Sequence, residues 1–153
     1  MIDSVSRSKR SLMMAGIRGK GTRPELLVRK FLHQAGFRYR LNVARLPGAP
    51  DLVLVRHRVA VFVHGCFWHR HLGCRYAATP ATRPEFWIEK FDSNRKRDQL
   101  VQERLLETGW RVAIVWECAL KNSTGFTLNE LRNFINSNSQ FIELSWGQET
   151  NAE

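Results

Sequence analysis

Apolar residues recur along this chain at two different spacings, and each spacing predicts its own kind of element. The runs D-L-V-L-V (51–55) and V-A-V-F-V (59–63) are almost continuously apolar and rich in β-branched residues. Runs this short, bounded by turn residues, read as buried strands. R-H-R (56–58) is a tight charged connection between them. Taken as a three-residue hairpin, it sets Val55 against Val59 and Asp51 opposite Val63. W-R-V-A-I-V-W (110–116) reads as another buried strand, and Phe37 to Asn42 as a short one. Phe141 to Trp146 alternates like an edge strand.

Helical spacing accounts for most of the rest. T-R-P-E (22–25) has capping-box spacing, with Pro24 in the first turn, where its missing N–H does no harm. The helix that follows carries a stripe of Leu27, Val28, Phe31, Leu32 and Ala35 and stops at Gly36. A helical region extends from about Glu85 to Thr108, with a candidate break at Asp92-Ser93, and Gly109 ends it. Phe126 to Asn136 is a final helix. L-P-G-A-P (46–50) is a turn or loop, and Ala77 to Pro84 is a Pro/Thr-rich loop. The order α-β-β-β-α-β-α predicts an α/β domain: a mixed central β-sheet flanked by helices. With 153 residues, one domain is expected. Residues 1–20 form a basic N-terminal arm, part-helical around Ser11 to Ile17. Residues 21–136 form the single domain, and 137–153 a polar tail.

Charge narrows the class of partner. The net charge is +10, which points to a polyanion, nucleic acid before a membrane surface. The cations are unevenly placed: Arg7, Lys9, Arg10, Arg18, Lys20, Arg23, Arg29, Lys30, Arg38 and Arg40 precede position 41, against Asp3 and Glu25 alone. No Lys or Arg follows Arg132. No apolar run approaches the roughly 20 residues that span a bilayer. The N-terminus lacks an apolar signal core, so a cytoplasmic protein without membrane contact is expected. Three cysteines suit a metal site or buried thiols better than a disulfide framework.

The candidate chemistry gathers in H-G-C-F-W-H-R-H-L-G-C (64–74), directly after a strand. Cys66, His71 and Cys74 have C-x4-H-x2-C spacing, and Cys118 follows the last core strand in W-E-C. Four such soft ligands suit a closed, structural tetrahedral zinc; the alternative is plain thiols. Asp51 starts a strand beside Val63, where a carboxylate and a main-chain carbonyl could hold magnesium with water. Glu25 borders the stripe of its helix and could point to the same place, although its capping-box position explains it equally well. Asp98 shares a helical face with Asn94, Val101 and Leu105, so it either points inward toward His64 or His69 or belongs to a charged outer face. His69 is left over by the zinc tetrad, and a free imidazole near such a metal is a natural base for activating water. Phe67 and Trp68 sit in a turn-rich segment of a basic protein and are candidates for stacking on or wedging between bases. The pattern alone puts Phe86 and Trp87 in the core.

Several segments together resemble the very-short-patch repair endonucleases. They are L-P-G-A-P-D (46–51), V-A-V-F-V-H-G-C-F-W-H (59–69), A-T-R-P-E-F-W-I-E-K (81–90), N-R-K-R-D (94–98) and G-W-R-V-A-I-V-W-E-C-A-L (109–120), with the basic start R-S-L-M-M-A-G-I-R-G-K-G-T-R-P-E (10–25). The resemblance spans roughly residues 7 to 121, and it implies the PD-(D/E)xK restriction-endonuclease fold. It further implies nicking of one DNA strand 5′ to the thymine of a T·G mismatch. Asp51 and the Val63 carbonyl would bind magnesium, with His69 as general base and Glu25, His64 and Asp98 in support. Cys66, His71, Cys74 and Cys118 would hold structural zinc. Phe67, Trp68 and Trp87 would enter the duplex, with Met14 as a candidate opposite wedge and Arg18 and Lys20 on the backbone. Mismatch-repair proteins are candidate partners, and a monomer is expected. The restriction pattern would place an acid and a lysine near 63 and 65, where Val63 and Gly65 stand. The knuckle carries one extra residue between His71 and Cys74. Two rival readings are a same-fold nuclease indifferent to mismatches and a non-catalytic zinc module that binds DNA.

Overall fold

The computed structural model describes residues 21–71 and 73–147; the expectations for the basic arm and for residues 148–153 lie outside them. Five strands form one sheet in the order β1 (Arg40–Leu41), β2 (Leu52–Leu54), β3 (Val59–His64), β4 (Arg111–Trp116) and β5 (Phe141–Leu144). β2 is antiparallel to both of its neighbours, β1 and β3, and β3, β4 and β5 are parallel. Helices α1 (Arg23–Gln34), α2 (Pro84–Glu107), α3 (Glu117–Asn122) and α4 (Thr124–Ile135) complete the described elements.

The near-continuous apolar runs have a simple cause: both faces of the sheet are covered. Strand side chains alternate between faces. Leu52, Leu54, Val59, Val61, Ala113, Val115 and Leu144 pack with Val28 and Leu32 of α1 and with Leu128, Leu131, Phe134 and Ile135 of α4. Ala60, Phe62, Val112, Ile114 and Trp116 face the other way, onto Leu105 of α2 and the two buried thiols Cys66 and Cys118. The expected mixed sheet flanked by helices is therefore what forms.

Four local expectations change. The β2–β3 turn uses four residues, not three: Arg58, at φ 55°, donates its N–H to the Val55 carbonyl, and Leu54 rather than Val55 pairs with Val59. The register slips by one, so Asp51 stands level with Phe62. In α1 the buried line is Glu25, Val28 and Leu32, whereas Leu27 is 40% exposed and Ala35 is also exposed. Helix α2 continues unbroken through Asp92 and Ser93, which lie on its outer face. The chain after β4 folds into the short α3 before α4, whereas the edge strand expected within Phe141 to Trp146 forms as β5 beside β4.

Arg111 closes the end of the sheet where β3 and β4 begin. Its guanidinium donates to the carbonyls of Phe134, Ile135 and Ser137 at 3.0, 2.9 and 3.0 Å and to that of His57 at 3.2 Å. It thus caps the carbonyl end of α4 and ties it to the β2–β3 turn.

Candidate active site

At the opposite end of the sheet, a cleft of about 1040 Å³ opens between the N-terminus of α1, the loop before β2, the end of β3 and the inner face of α2. Asp51, Val63, His64, His69, Asp98 and Glu25 all line it. The β2–β3 ladder stops at Leu52 and Val61. Beyond it, the Val63 N–H finds the Asp51 side chain instead of a strand, donating to Oδ2 at 2.7 Å. Despite the slipped register, Asp51 and Val63 therefore meet. Burial, opposed by that N–H, pushes the Asp51 carboxyl up to about 6, and the nearby Glu25 adds to the rise. His69 and Arg29 act in the opposite sense.

Glu25 points inward and is buried, yet both its oxygens are engaged. One accepts the Gly21 N–H at 2.9 Å and the other the Arg29 guanidinium at 2.5 Å. The Thr22 side chain makes no cap bond, so the expected capping box is not closed; Glu25 instead reaches back to the Gly21 N–H while lining the cleft.

Asp98 faces inward and its partner is His69: Nδ1 lies 2.6 Å from Oδ2. Asn94, one turn earlier on α2, donates to the Trp68 carbonyl at 2.9 Å and holds the knuckle against the helix. His69 is stacked on His64, with centroids 3.8 Å apart and planes 4° from parallel. Burial, and then the neighbouring His69 and His71, keep His64 well below the usual imidazole range, so it is neutral. His64, His69 and Asp98 bring donor atoms within 4.8 Å of one another. Stacked rings, however, send their in-plane lone pairs out side by side, and Nδ1 of His69 is already committed to Asp98. The trio suits proton handling better than metal ligation.

Cys66, His71, Cys74 and Cys118 converge next to it, one donor atom from each lying within 4.8 Å of the others. His71 Nδ1 and Cys118 Sγ are 3.4 Å apart. Zinc bonds of about 2.3 Å to sulfur and 2.0 Å to nitrogen imply tetrahedral edges of roughly 3.5–3.8 Å, so the donor set fits a closed tetrahedral cation. A shared hydrogen bond with Cys118, and then burial, push the Cys66 thiol up, while the same bond draws Cys118 down to about 5. A divalent cation among them favours thiolate on both.

The aromatics form a cluster on the knuckle side of the cleft. Phe67 meets Trp68, Trp87 and Phe91 at centroid distances of 4.9, 5.6 and 5.1 Å. Phe67 and Trp68 line the cleft, and Trp87 is half-buried behind them. Phe86, placed in the core by pattern, is 52% exposed, because it starts a helix whose inner face begins at Phe91. Met14, Arg18 and Lys20 lie outside the described residues. Sequence reading missed Arg29, whose only signal was its i,i+4 spacing from Glu25. It also missed Lys90 and Arg97, which line the cleft on the α2 face that carries Asn94 and Val101.

The family model described as DNA mismatch endonuclease Vsr matches residues 2–75. The type II nicking enzyme V.XorIIP of Xanthomonas oryzae is 45% identical over 135 residues, covering 88% of this chain and 98% of the relative. The type II nicking enzyme V.NmeAIP of Neisseria meningitidis is 47% identical, covering 80% and 86%. The DNA mismatch endonuclease Vsr of Escherichia coli is 43% identical, covering 83% and 81%. The chain belongs to the Vsr family. Its mixed sheet is therefore a restriction-endonuclease-like core, and a Vsr-type protein is a DNA-cleaving hydrolase. The span matched by the family model contains Glu25, Asp51, His64, His69 and three of the four clustered metal-type ligands; Asp98 and Cys118 join them only through α2 and β4.

Proposed function

We propose that this Vsr-family chain nicks one strand of duplex DNA 5′ to the thymine of a T·G mismatch by magnesium-dependent phosphodiester hydrolysis. The observation that carries the reading is the meeting, in one cleft, of a buried carboxylate at Asp51 and a carboxylate-oriented imidazole at His69. The Asp51 carboxylate and the Val63 carbonyl would hold magnesium, which supplies positive charge to the phosphate and its attacking water. Asp98 fixes His69 through Nδ1, leaving Nε2 to take a proton from water. Neutral His64 supports the His69 ring by stacking. Glu25, held by Gly21 and Arg29, acts on Asp51 through its charge.

Phe67, Trp68 and Trp87 would enter the stack beside the mismatch, where a T·G wobble is easier to open than a matched pair. Met14, Arg18 and Lys20, on the arm of residues 1–20, would add further contacts to the DNA. Cys66, His71, Cys74 and Cys118 would hold a structural zinc with no open position. The enzyme works as a monomer on cytoplasmic DNA, with mismatch-repair proteins as partners. One assay tests this: nicking of one duplex sequence, matched and with each mismatch, with and without magnesium. The expected result is magnesium-dependent nicking confined to T·G, lost in Asp51→Ala while binding persists. Equal cutting of the matched duplex overturns the mismatch assignment, and unimpaired cutting by Asp51→Ala overturns the mechanism.

A further inference from the structure

The end of the sheet that carries the cleft extends beyond it. β2 begins there, just after Asp51; β3 and β4 end there at His64 and Trp116; and β5, parallel to β4, ends there at Leu144, two residues before Trp146. Past the thiol cluster on this rim, side chains from three separate segments meet. The Arg75 guanidinium lies 4.9 Å from the centre of the Tyr76 ring and 5.4 Å from that of Trp146, and it donates to the Tyr76 hydroxyl at 2.8 Å. Lys121 Nζ lies 4.9 Å over the same tyrosine ring. Arg75 and Lys121 are exposed, and Trp146 is 45% exposed. Among the described residues, no carboxylate pairs with Arg75. Lys121 sits 3.6 Å from Glu117, a residue that lines the cleft one helical turn away. Two cations gathered over one phenol repel each other, and an anion between them would relieve it.

We propose that the Arg75–Tyr76–Lys121–Trp146 patch holds the phosphate backbone of the DNA that flanks the nick site. The proposal rests on the reading of the cleft as the place of hydrolysis. Its occupant follows from charge and continuity: the patch carries two of the cations of a protein of net charge +10, on the same rim as the cleft. Three strand spacings separate β2 from β5, about 14 Å. At about 3.4 Å per base pair, a duplex lying along the rim reaches the patch roughly four base pairs from the scissile phosphate.

The test is equilibrium binding of the full chain, without divalent ions, to mismatched duplexes lengthened stepwise on one side of the mismatch and then on the other. Wild type should gain affinity several-fold when the duplex passes roughly four base pairs on one side only. Arg75→Gln/Lys121→Gln should not gain, and its slope of log affinity against log salt on the long duplex should be shallower by about 2, near one per phosphate contact. Because Arg75 adjoins Cys74, Lys121→Gln is measured alone as well and should lower the slope by about 1. Wild type indifferent to length, or variants that gain as wild type does, overturns the proposal. Nicking of the same duplexes in magnesium is scored separately. A length-dependent gain without nicking leaves the patch standing and removes the cleft reading; nicking without the gain does the reverse.

Discussion

Asp51 is held where its charge is costly. Its carboxyl stands near 6, above the ordinary value of 3.8, because burial outweighs the Val63 N–H. A carboxyl raised on folding adds stability below its unfolded value, and that contribution is lost as pH rises through about 6. Asp51→Asn keeps an oxygen for the Val63 N–H and removes the charge. Thermal unfolding at pH 7 should show it stabilised by about 1–3 kcal/mol, with the difference shrinking below pH 5, while nicking is abolished. Activity of the wild type should fall as pH drops below about 6, where Asp51 takes up a proton. The residue types at this site were legible because a strand-initial aspartate and a surplus histidine have few other reasons to be there. The choice between His64 and His69 as the partner of Asp98 was not legible. It depends on the knuckle's turns, which fold His69 back over Gly65. Arg29 was invisible for a similar reason: a cation on a basic helix looks like any other until burial brings it to Glu25.

At the scale of elements, the loop before β2 is fixed by close packing. Gly48 has φ 74°, and a Cβ there would lie 2.4 Å from Val101 Cγ1 on α2 and 3.3 Å from Phe62. Gly48→Ala should cost about 2–4 kcal/mol in denaturant unfolding, and Val101→Ala in the same chain should recover part of it. At the far end of the sheet, Arg111→Met would remove hydrogen bonds to five carbonyls, those of His57, Phe134, Ile135, Ser137 and Ser139. It should cost about 2 kcal/mol and loosen α4 in hydrogen exchange. Strand and helix positions were largely readable from period, since both faces of the sheet are buried and α1 and α2 each carry a proline in the first turn and stop just short of a glycine, Gly36 and Gly109. The hairpin register was not. Residues 56–58 do not reveal that Arg58 adopts a left-handed conformation and adds a fourth turn residue. α3 was missed because its six residues carry too little periodicity.

For the whole molecule, the excess of positive charge predicts binding that weakens steeply with salt, measurable as a linear fall of log affinity with log salt concentration. Purified protein should carry about one zinc per chain, and Cys66→Ser should lower its melting temperature as well as its activity. The convergence of Cys118 with the knuckle could be suggested by sequence but not located, because it depends on β3 and β4 lying side by side and in parallel.

That pairing also joins the two centres through a column of rings. His71 stacks on Trp116 at 4.2 Å, Trp116 meets His64 edge-on at 5.1 Å, and His64 stacks on His69. Extracting the thiolate-bound ion would free one end of this column and disturb the imidazole at the other. On the proposed reading, a chelator such as EDTA should therefore silence the enzyme by two routes. Loss of the proposed magnesium should be undone by magnesium alone and leave indole emission unchanged; loss of the proposed zinc should shift Trp116 fluorescence and should not be reversed by added magnesium.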